Sequence, residues 1–199
     1  MKKTSYVWNR WRDCPPPRTE RRMRTRGFTL IELLVTISIG TLLMLVAVPN
    51  FVQFQRNAQL SDAVSNFIGA ANTARANAMK QGINTYMVPN NATVGWSSGW
   101  YVFADTNFNK AYDGGTAEPI ILSHEALDNS VVIKTTPSSS LADNYLMFNG
   151  SGYPRLKTGA FSASTIELRN TARASSVVID LAGRVRSCKT GTTTDCPAL

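Results

Sequence analysis

A single carboxylate, Glu32, lies inside an otherwise apolar stretch of this 199-residue chain. The stretch covers residues 28–48 and contains no other formally charged residue. An acidic side chain near the centre of a membrane-spanning helix costs about 2.5–3.5 kcal/mol, so such a residue is expected to have a partner and a function. A position near the membrane interface, or protonation, would also accommodate the carboxylate. We interpret Glu32 as a functional residue whose charge is paired.

The stretch has the length and the flank of a membrane-spanning helix. Its 21 residues would form a helix about 32 Å long, close to the hydrocarbon thickness of a bilayer. Residues 1–27 contain nine Lys or Arg and two acidic residues, which predicts a cytoplasmic N-terminus and an exported remainder. A cleaved secretory signal peptide is the alternative, but it needs a shorter apolar region and a small-x-small cleavage site.

The net charge of +8 is concentrated at the two ends of the chain. Residues 57–150 carry four basic and seven acidic side chains, whereas residues 151–199 carry seven basic and three acidic ones. The basic C-terminal part is therefore better evidence for an anionic partner than the charge of the whole chain.

The predicted membrane span separates the three cysteines. Cys14 precedes it and would be reduced in the cytoplasm, whereas Cys188 and Cys196 would face an oxidising compartment. Their separation of eight residues allows a small disulfide loop, with two free thiols as the alternative. We expect the disulfide.

Periodicity predicts one long helix followed by short strands. The helix covers residues 28 to about 81, with a kink or local loosening at Pro49 and an end at Gly82. Its second half has an apolar face with steps of three and four residues: Leu60, Val64, Phe67, Ile68, Ala71, Ala74 and Ala78. Seven β-rich runs follow, at residues 86–88, 100–103, 120–122, 131–133, 145–148, 166–168 and 177–179. The predicted fold class is α+β, a long N-terminal helix packed on antiparallel sheets.

Two further patterns indicate metal or catalytic chemistry only weakly. Asp105, Asn107, Asn109 and Asp113 have the spacing of oxygen ligands in a calcium loop, but Lys110 occupies the EF-hand glycine position and the twelfth position lacks Glu. We interpret this segment as an Asx-rich turn and predict no metal and no cofactor. His124 is the only histidine, and no nucleophile elbow or Gly-rich phosphate loop occurs, so no catalytic residue is predicted. The sequence does not exclude a Ser-His-Asp triad, because the members of a triad can lie far apart in the chain.

The segment Arg26-Gly27-Phe28-Thr29-Leu30-Ile31-Glu32 resembles the processing site of the type IV pilin and pseudopilin superfamily. Residues 99–105, 107, 109, 113–114 and 118–120, and residues 148–152 leading to 179–186, are similar to signatures of the GspH/FimT pseudopilin family. The ending Gly183-Arg184-Val185-Arg186 resembles the FimT branch, minor pilins of type IV pili tied to DNA uptake. The resemblance covers nearly all of residues 21–190.

The resemblance implies that a prepilin peptidase cleaves after Gly27 and methylates the new amine of Phe28. This amine would lie one helical turn from Glu32, so the carboxylate would pair with it in its own chain or in a neighbour and set the register of a fibre. The implied partners are the peptidase, other major and minor pilins and, before assembly, the bacterial inner membrane. The implied location is a single-pass inner-membrane protein with a periplasmic C-terminal domain, and then the pilus.

The expected organisation follows from this processing. Residues 1–27 form a cytoplasmic leader, residues 28–54 a hydrophobic transmembrane and assembly helix, and residues 55–199 a globular pilin domain. Within that domain we expect an amphipathic helix at 55–81, a β-domain at 82–187 and a disulfide-tethered tail at 188–199.

The basic C-terminal segment is the second candidate site. Arg184 and Arg186 alternate along a predicted strand or extended tail, so their side chains leave the same face, and Lys189 follows. Arginine forks suit phosphate contacts, which depend on salt and not on sequence, although charged residues on an edge strand also serve simply to deter aggregation. With the resemblance, we expect these three residues to bind duplex DNA for uptake in natural transformation. Four more basic residues, Arg155, Lys157, Arg169 and Arg173, would widen the patch if they face it.

Three other functions remain open from the sequence. The chain would serve as a GspH-like minor pseudopilin of a type II secretion system, as a minor pilin that promotes pilus assembly without binding DNA, or as a membrane-anchored binding or enzymatic domain that does not polymerise.

Overall fold

The computed structural model describes residues 27–137 and 139–190 together with Cys196, and most of the predicted leader, including Cys14, lies outside this part of the chain. Contacts divide the chain into two units, Met1–Met44 and Leu45–Leu199. The functional boundaries expected after residues 27 and 54 stay predictions.

One helix, α1 (Leu30–Gln81), contributes to both units and is continuous through Pro49. It begins two residues after the expected start. Gly82 follows it with φ of 70°, and the backbone N–H of Gly82 donates to the carbonyl oxygen of Ala78 at 2.8 Å. A left-handed residue after the last turn stops a helix, and glycine adopts that conformation without a steric penalty. The predicted end at Gly82 is confirmed.

The second unit is built on one apolar face of α1. Phe67 is fully buried at the centre of this face, where its ring makes edge contacts with Trp96 and Trp100 at centroid distances of 5.5 and 5.3 Å. Small side chains on either side let the sheets approach the helix closely. The buried residues of the face are Leu60, Ala63, Val64, Phe67, Ala70, Ala71, Ala74 and Ala78, and Ile68 packs half-buried beside them.

Two antiparallel sheets pack on this helix face. The first has the strand order β3-β2-β1-β5-β6 and the second the order β4-β7-β8-β9. The first comprises β1 (Thr85–Pro89), β2 (Trp100–Ala104), β3 (Ile120–His124), β5 (Leu146–Phe148) and β6 (Pro154–Arg155), and the second β4 (Val132–Thr135), β7 (Ser164–Arg169), β8 (Ala174–Ile179) and β9 (Val185–Lys189). Each hydrogen-bonded pair is antiparallel. The α+β fold class is confirmed, while the two-residue β6 was not predicted.

Both sheets contribute to one core, and the first sheet has a second apolar face. Met87, Val102 and Phe148 of the first sheet and Ile166 and Val177 of the second belong to the cluster around α1. On the other face of the first sheet, a smaller cluster joins four buried residues to four half-buried ones: Tyr86, Phe103, Tyr145 and Met147, with Val88, Tyr101, Tyr112 and Leu156. Tyr112 belongs to the long connection between β2 and β3, which therefore packs on this second face.

Candidate functional site

Glu32 closes the first turn of α1. Its carboxylate accepts hydrogen bonds from the backbone N–H and the hydroxyl of Thr29, at 3.1 and 3.2 Å, and the backbone N–H of Glu32 donates to Oγ1 of Thr29 at 3.2 Å. This reciprocal arrangement is a capping box, which satisfies two N–H groups that a helix start leaves unpaired. The sequence interpretation gave Glu32 an ionic role and missed this local one, although Thr-x-x-Glu is its signature.

Gly27 and Phe28 precede the helix, and the described apolar side chains that follow them in its first half are exposed. Phe28 is 83% exposed, and every described apolar side chain of residues 28–44 is exposed. Exposed apolar residues continue into the second unit, including Phe51 and Phe54. α1 is long and apolar enough to cross a membrane, and the described residues contain one such helix. A surface of this extent requires lipid or other protein as its environment.

Arg184 lies in the turn that joins β8 to β9. The backbone N–H of Asp180 donates to the carbonyl oxygen of Arg184 at 3.1 Å. The backbone N–H of Gly183 donates to the carbonyl oxygen of Asp180 at 2.9 Å. The Asp180 carboxylate accepts the backbone N–H groups of Ala182 and Arg184 and also Nε of Arg184 at 3.0 Å. The Arg184 side chain is nevertheless 70% exposed. The turn therefore binds the guanidinium through Nε, while most of the Arg184 side chain stays exposed at the surface.

These hydrogen bonds also affect the Asp180 carboxyl group. Burial acts to raise its pKa, but the hydrogen bonds and the charge of Arg184, with the N–H of Ala182, outweigh that effect. The pKa of Asp180 consequently lies below its ordinary value, and the carboxylate stays ionised beside Arg184.

Arg75 of α1 supports the same turn. Its Nε donates to the carbonyl oxygen of Gly152 at 3.0 Å and its Nη2 to the carbonyl oxygen of Ala182 at 2.9 Å. Gly183 has φ of 79°, and a β-carbon there would lie 2.3 Å from the Gly152 oxygen. Sequence reasoning missed Arg75, because its partners are 77 and 107 residues away.

The three predicted DNA-binding residues do not share one face. β9 begins at Val185, so Arg184 is the last residue of the turn. The hydrogen bond from the N–H of Asp180 to the carbonyl oxygen of Arg184 continues the register in which Ile179 pairs with Val185. Arg186 pairs with Val178, which points away from the core that contains Val177. Lys189, three residues further along β9, lies on the opposite face from Arg186 because side chains alternate along a strand. The expectation that the side chains of Arg184 and Arg186 leave the same face stays a prediction, and Lys189 does not share that face.

The other basic residues lie at different places in the domain. Arg173 and Lys189 line a surface cavity of about 650 Å³ beside Leu60 and Ser61 of α1. Nη1 of Arg169 lies 3.9 Å from the buried carboxylate of Glu167 on the same strand.

Arg155 and Lys157 belong to the region of the first sheet, not to the sheet that contains Arg186. The Arg155 guanidinium stacks 3.6 Å from the centroid of the Phe161 ring, and Nζ of Lys157 lies 5.0 Å from that of Tyr145. Both therefore have local roles in packing.

Cys188 and Cys196 form a disulfide with a Cα–Cα distance of 6.1 Å, so the expected pairing is confirmed. Cys196 is fully buried. The bridge joins Cys196 to β9, next to the basic segment. Residues 191–195 and 197–199 of the predicted tail lie outside the described residues.

His124 has a structural environment. Its ring stacks on Trp100 with a centroid distance of 4.4 Å. Nδ1 donates to the carbonyl oxygen of Glu125 at 2.7 Å, and Nε2 accepts from Nδ2 of Asn66 at 3.1 Å. Both ring nitrogens are thus engaged in bonds that fix β3 to its surroundings.

Comparison with known protein families adds a decisive observation. A family model described as "Type II transport protein GspH" matches residues 63–183, which is more than half of the chain. The chain belongs to the GspH/FimT family of type IV pilin-like proteins. A second model, described as "Prokaryotic N-terminal methylation motif", matches residues 22–48. Members of this family are pilins and pseudopilins, so the apolar helix is that of a membrane-anchored pilus or pseudopilus component.

Individual relatives agree with this assignment. The chain is 28% identical over 165 residues to the pilin-like protein PilA1 of Thermus thermophilus, a match that covers 82% of this chain and 99% of the relative. It is 46% identical over 43 residues to the type IV major pilin protein PilA of Myxococcus xanthus, covering 22% of this chain and 20% of that protein. The crystal structure of the type IV minor pilin FimU of Pseudomonas aeruginosa has the same fold, with a TM-score of 0.51, 17% identity, and coverage of 67% of this chain and 90% of FimU.

Proposed function

We propose that this family member is a minor pilin that is cleaved after Gly27 by a prepilin peptidase, methylated at Phe28 and assembled into a type IV pilus. The observation that carries this proposal is the match to the N-terminal methylation motif on a helix start whose described apolar side chains are exposed. Before assembly, the bilayer of the inner membrane would cover this surface, with the C-terminal domain in the periplasm. In the fibre, the helices of other pilins would replace the lipid.

Glu32 has two roles in this proposal. Within the chain it caps α1 through Thr29. After cleavage, Phe28 would be the first residue, directly before Thr29. Its positively charged amine would pair with the Glu32 carboxylate of this chain or of a neighbouring subunit. Pairing between subunits would fix their axial register. We propose no catalytic role for the chain.

We further propose that the C-terminal domain binds duplex DNA without sequence preference, as a step in DNA uptake during natural transformation. Arg184 supports this proposal because a rigid turn presents it with most of its side chain exposed. Arg186 follows on the adjacent edge strand, and Lys189 lies further along it on the other face. The Asp180 carboxylate offsets part of the positive charge, so the contact would be weak and sensitive to salt.

Retention of duplex DNA by the full chain in detergent micelles tests this function. We expect binding at low salt that weakens steeply as salt rises, and a large loss in the double variant Arg184→Ala/Arg186→Ala. The matched control Arg56→Ala/Lys80→Ala removes the same charge from exposed positions on α1 and should retain binding. Equal retention by wild type and by the first double variant would exclude this site.

A minor pseudopilin of a type II secretion system is the second candidate. It is favoured by the description of the matched family model, which names type II transport. Its partners would be other pseudopilins and secreted proteins. Under this alternative, the full chain would copurify with pseudopilins and would not retain DNA at any salt concentration.

A further inference from the structure

We propose that residues 105–118, in the connection between β2 and β3, form a calcium-binding loop. The sequence offered two objections to such a site, the lysine at position 110 and the missing glutamate at the twelfth position of the loop. The structure answers both objections, and it adds a buried carboxylate oxygen that has no hydrogen-bond partner in the part of the chain that the structure describes.

The side chains with calcium-loop spacing converge in space. Asp105 is fully buried, and its two carboxylate oxygens accept the backbone N–H groups of Asn109 and Lys110, both at 3.1 Å. Nδ2 of Asn107 and Nδ2 of Asn109 both lie against Oδ2 of Asp113, at 2.6 and 2.5 Å. The Oδ1 atoms of Asn107 and Asn109 accept the backbone N–H groups of Asn109 and Ala111, at 3.1 and 2.9 Å. Rotation of either amide about its last bond would exchange that hydrogen bond for a neutral oxygen ligand beside Asp113.

Lys110 does not oppose a cation. The EF-hand requires glycine at this position because the backbone must turn sharply, and Lys110 has the required left-handed conformation, with φ of 66°. Its ammonium group donates to the backbone carbonyl oxygen of Lys157 at 2.9 Å. This contact holds the positive charge on a different segment of the chain, and not among the loop carboxylates.

Glu118 supplies the acidic ligand that the twelfth position lacks. It is 1% exposed, and its Oε2 accepts the backbone N–H of Asp113 at 3.0 Å, which places the carboxylate against the loop. Its Oε1 is buried and has no hydrogen-bond partner among the described residues. A buried, unpaired carboxylate oxygen is costly, and a bound cation would satisfy it.

The donor chemistry favours calcium over a transition metal. No three His, Cys, Asp or Glu side chains in the described part of the chain form a group ready to hold a metal by themselves. The ion would therefore also need the amide oxygens of Asn107 and Asn109 and the backbone carbonyl that loops of this spacing use at position seven, here Ala111. Ca²⁺ accepts six to eight oxygen ligands of mixed type in irregular geometry, whereas Mg²⁺ requires a near-ideal octahedron.

The loop also contains a tyrosine whose ring can report the binding of a metal ion by luminescence. The Tyr112 ring lies 5.2 Å from the ring of Tyr101 and 5.1 Å from that of Phe103, measured between centroids. Terbium ions occupy calcium sites and emit when a nearby tyrosine is excited. Titration of the full chain in detergent with Tb³⁺, followed by displacement with Ca²⁺, therefore measures binding at this loop directly.

We expect saturable terbium emission that Ca²⁺ displaces and equal concentrations of Mg²⁺ do not. Ca²⁺ at about ten times its dissociation constant should raise the thermal unfolding midpoint by about 3–6 °C relative to EGTA. Asp113→Asn and Glu118→Gln should each weaken terbium binding roughly tenfold or more. Asp113 is exposed, so its variant is expected to fold even if the Glu118 variant does not.

The matched control is Asp143→Asn, which removes one exposed carboxylate outside the loop and should bind terbium as wild type does. The proposal is overturned if terbium emission does not saturate, if Mg²⁺ displaces it as well as Ca²⁺, or if Asp113→Asn binds as tightly as Asp143→Asn.

Discussion

Arg75 lies against Gly183 so closely that a β-carbon on the glycine would come within 3.0 Å of Nε of the arginine. The same guanidinium donates to the carbonyl oxygens of Gly152 and Ala182. The turn that presents Arg184 is therefore held on α1 by one side chain. Close packing against Arg75 thus explains why glycine stands at the first position of the Gly-Arg-x-Arg ending, without reference to any ligand.

Replacement of Gly183 by alanine tests this packing. The variant combines a left-handed backbone with a contact of 2.3 Å to the Gly152 oxygen, so we expect a loss of at least about 2 kcal/mol in the free energy of unfolding. Gly159→Ala is the matched control, since Gly159 also has a positive φ but has nothing within 4 Å of the added carbon. Denaturant unfolding of both variants measures the difference, and equal losses would contradict the packing argument.

The two-carbonyl bridge makes Arg75→Lys a non-conservative change. An ammonium group lacks the planar fork that reaches both oxygens, so we expect destabilisation by about 1–3 kcal/mol. Arg56→Lys on the exposed side of the same helix should change the stability little. Urea unfolding midpoints of the two variants measure this difference. Indistinguishable midpoints would show that the hydrogen bonds from Arg75 to the two carbonyl oxygens do not stabilise the fold.

Asp180→Asn separates the shape of the basic turn from its charge. An amide oxygen still accepts the backbone N–H groups of the turn, while the negative charge beside Arg184 is removed. We expect tighter retention of DNA than in wild type and a steeper dependence on salt, because one more cation is available to phosphate. Weaker retention by a folded Asp180→Asn protein would argue against contact at Arg184.

The same variant changes the acid limb of the stability profile. The pKa of Asp180 is depressed below its ordinary value of 3.8 in the folded chain, so its contribution to stability is complete above that value and is lost as pH falls through the lower folded pKa. Unfolding midpoints measured from about pH 5 down to about pH 2.5 should therefore fall less steeply for Asp180→Asn than for wild type. Parallel profiles would show that this carboxylate is not coupled to folding.

Glu32→Gln distinguishes the two proposed roles of the Glu32 carboxylate. Glutamine preserves a capping box with Thr29 but cannot pair with a charged amine. We expect normal membrane insertion and reduced incorporation into pili for Glu32→Gln, as for Glu32→Leu. Immunoblots of membrane and sheared pilus fractions measure this. Incorporation of the glutamine variant at the wild-type level would reduce the function of Glu32 to helix capping.

Local sequence signals predicted the elements of the fold well. The helix end at Gly82, the alanine-rich buried face and the Cys188–Cys196 disulfide follow from rules that act over a few residues. Strand β6 was missed because two residues beginning with a proline give no β signal. The capping box was overlooked because Glu32 was interpreted only as a charge in an apolar span.

The basic site was less predictable, because its geometry depends on contacts between distant segments. Alternation placed Arg184 and Arg186 on one face, but it did not indicate that the Asp180 carboxylate binds Arg184 within the turn. Nothing near Arg75 in the chain indicates that it supports residues 152 and 182. The Asx-rich turn expected at residues 105–113 has the side-chain to backbone hydrogen bonds of such turns, but the burial of Glu118 beside it is visible only in three dimensions.

The most direct test of the account is mass spectrometry of the N-terminal peptide of this protein recovered from sheared pili. We predict a polypeptide that begins with N-methylated Phe28. A chain recovered only from membranes, or one whose first residue is not a methylated Phe28, would contradict the proposal that this protein is a processed and assembled pilin.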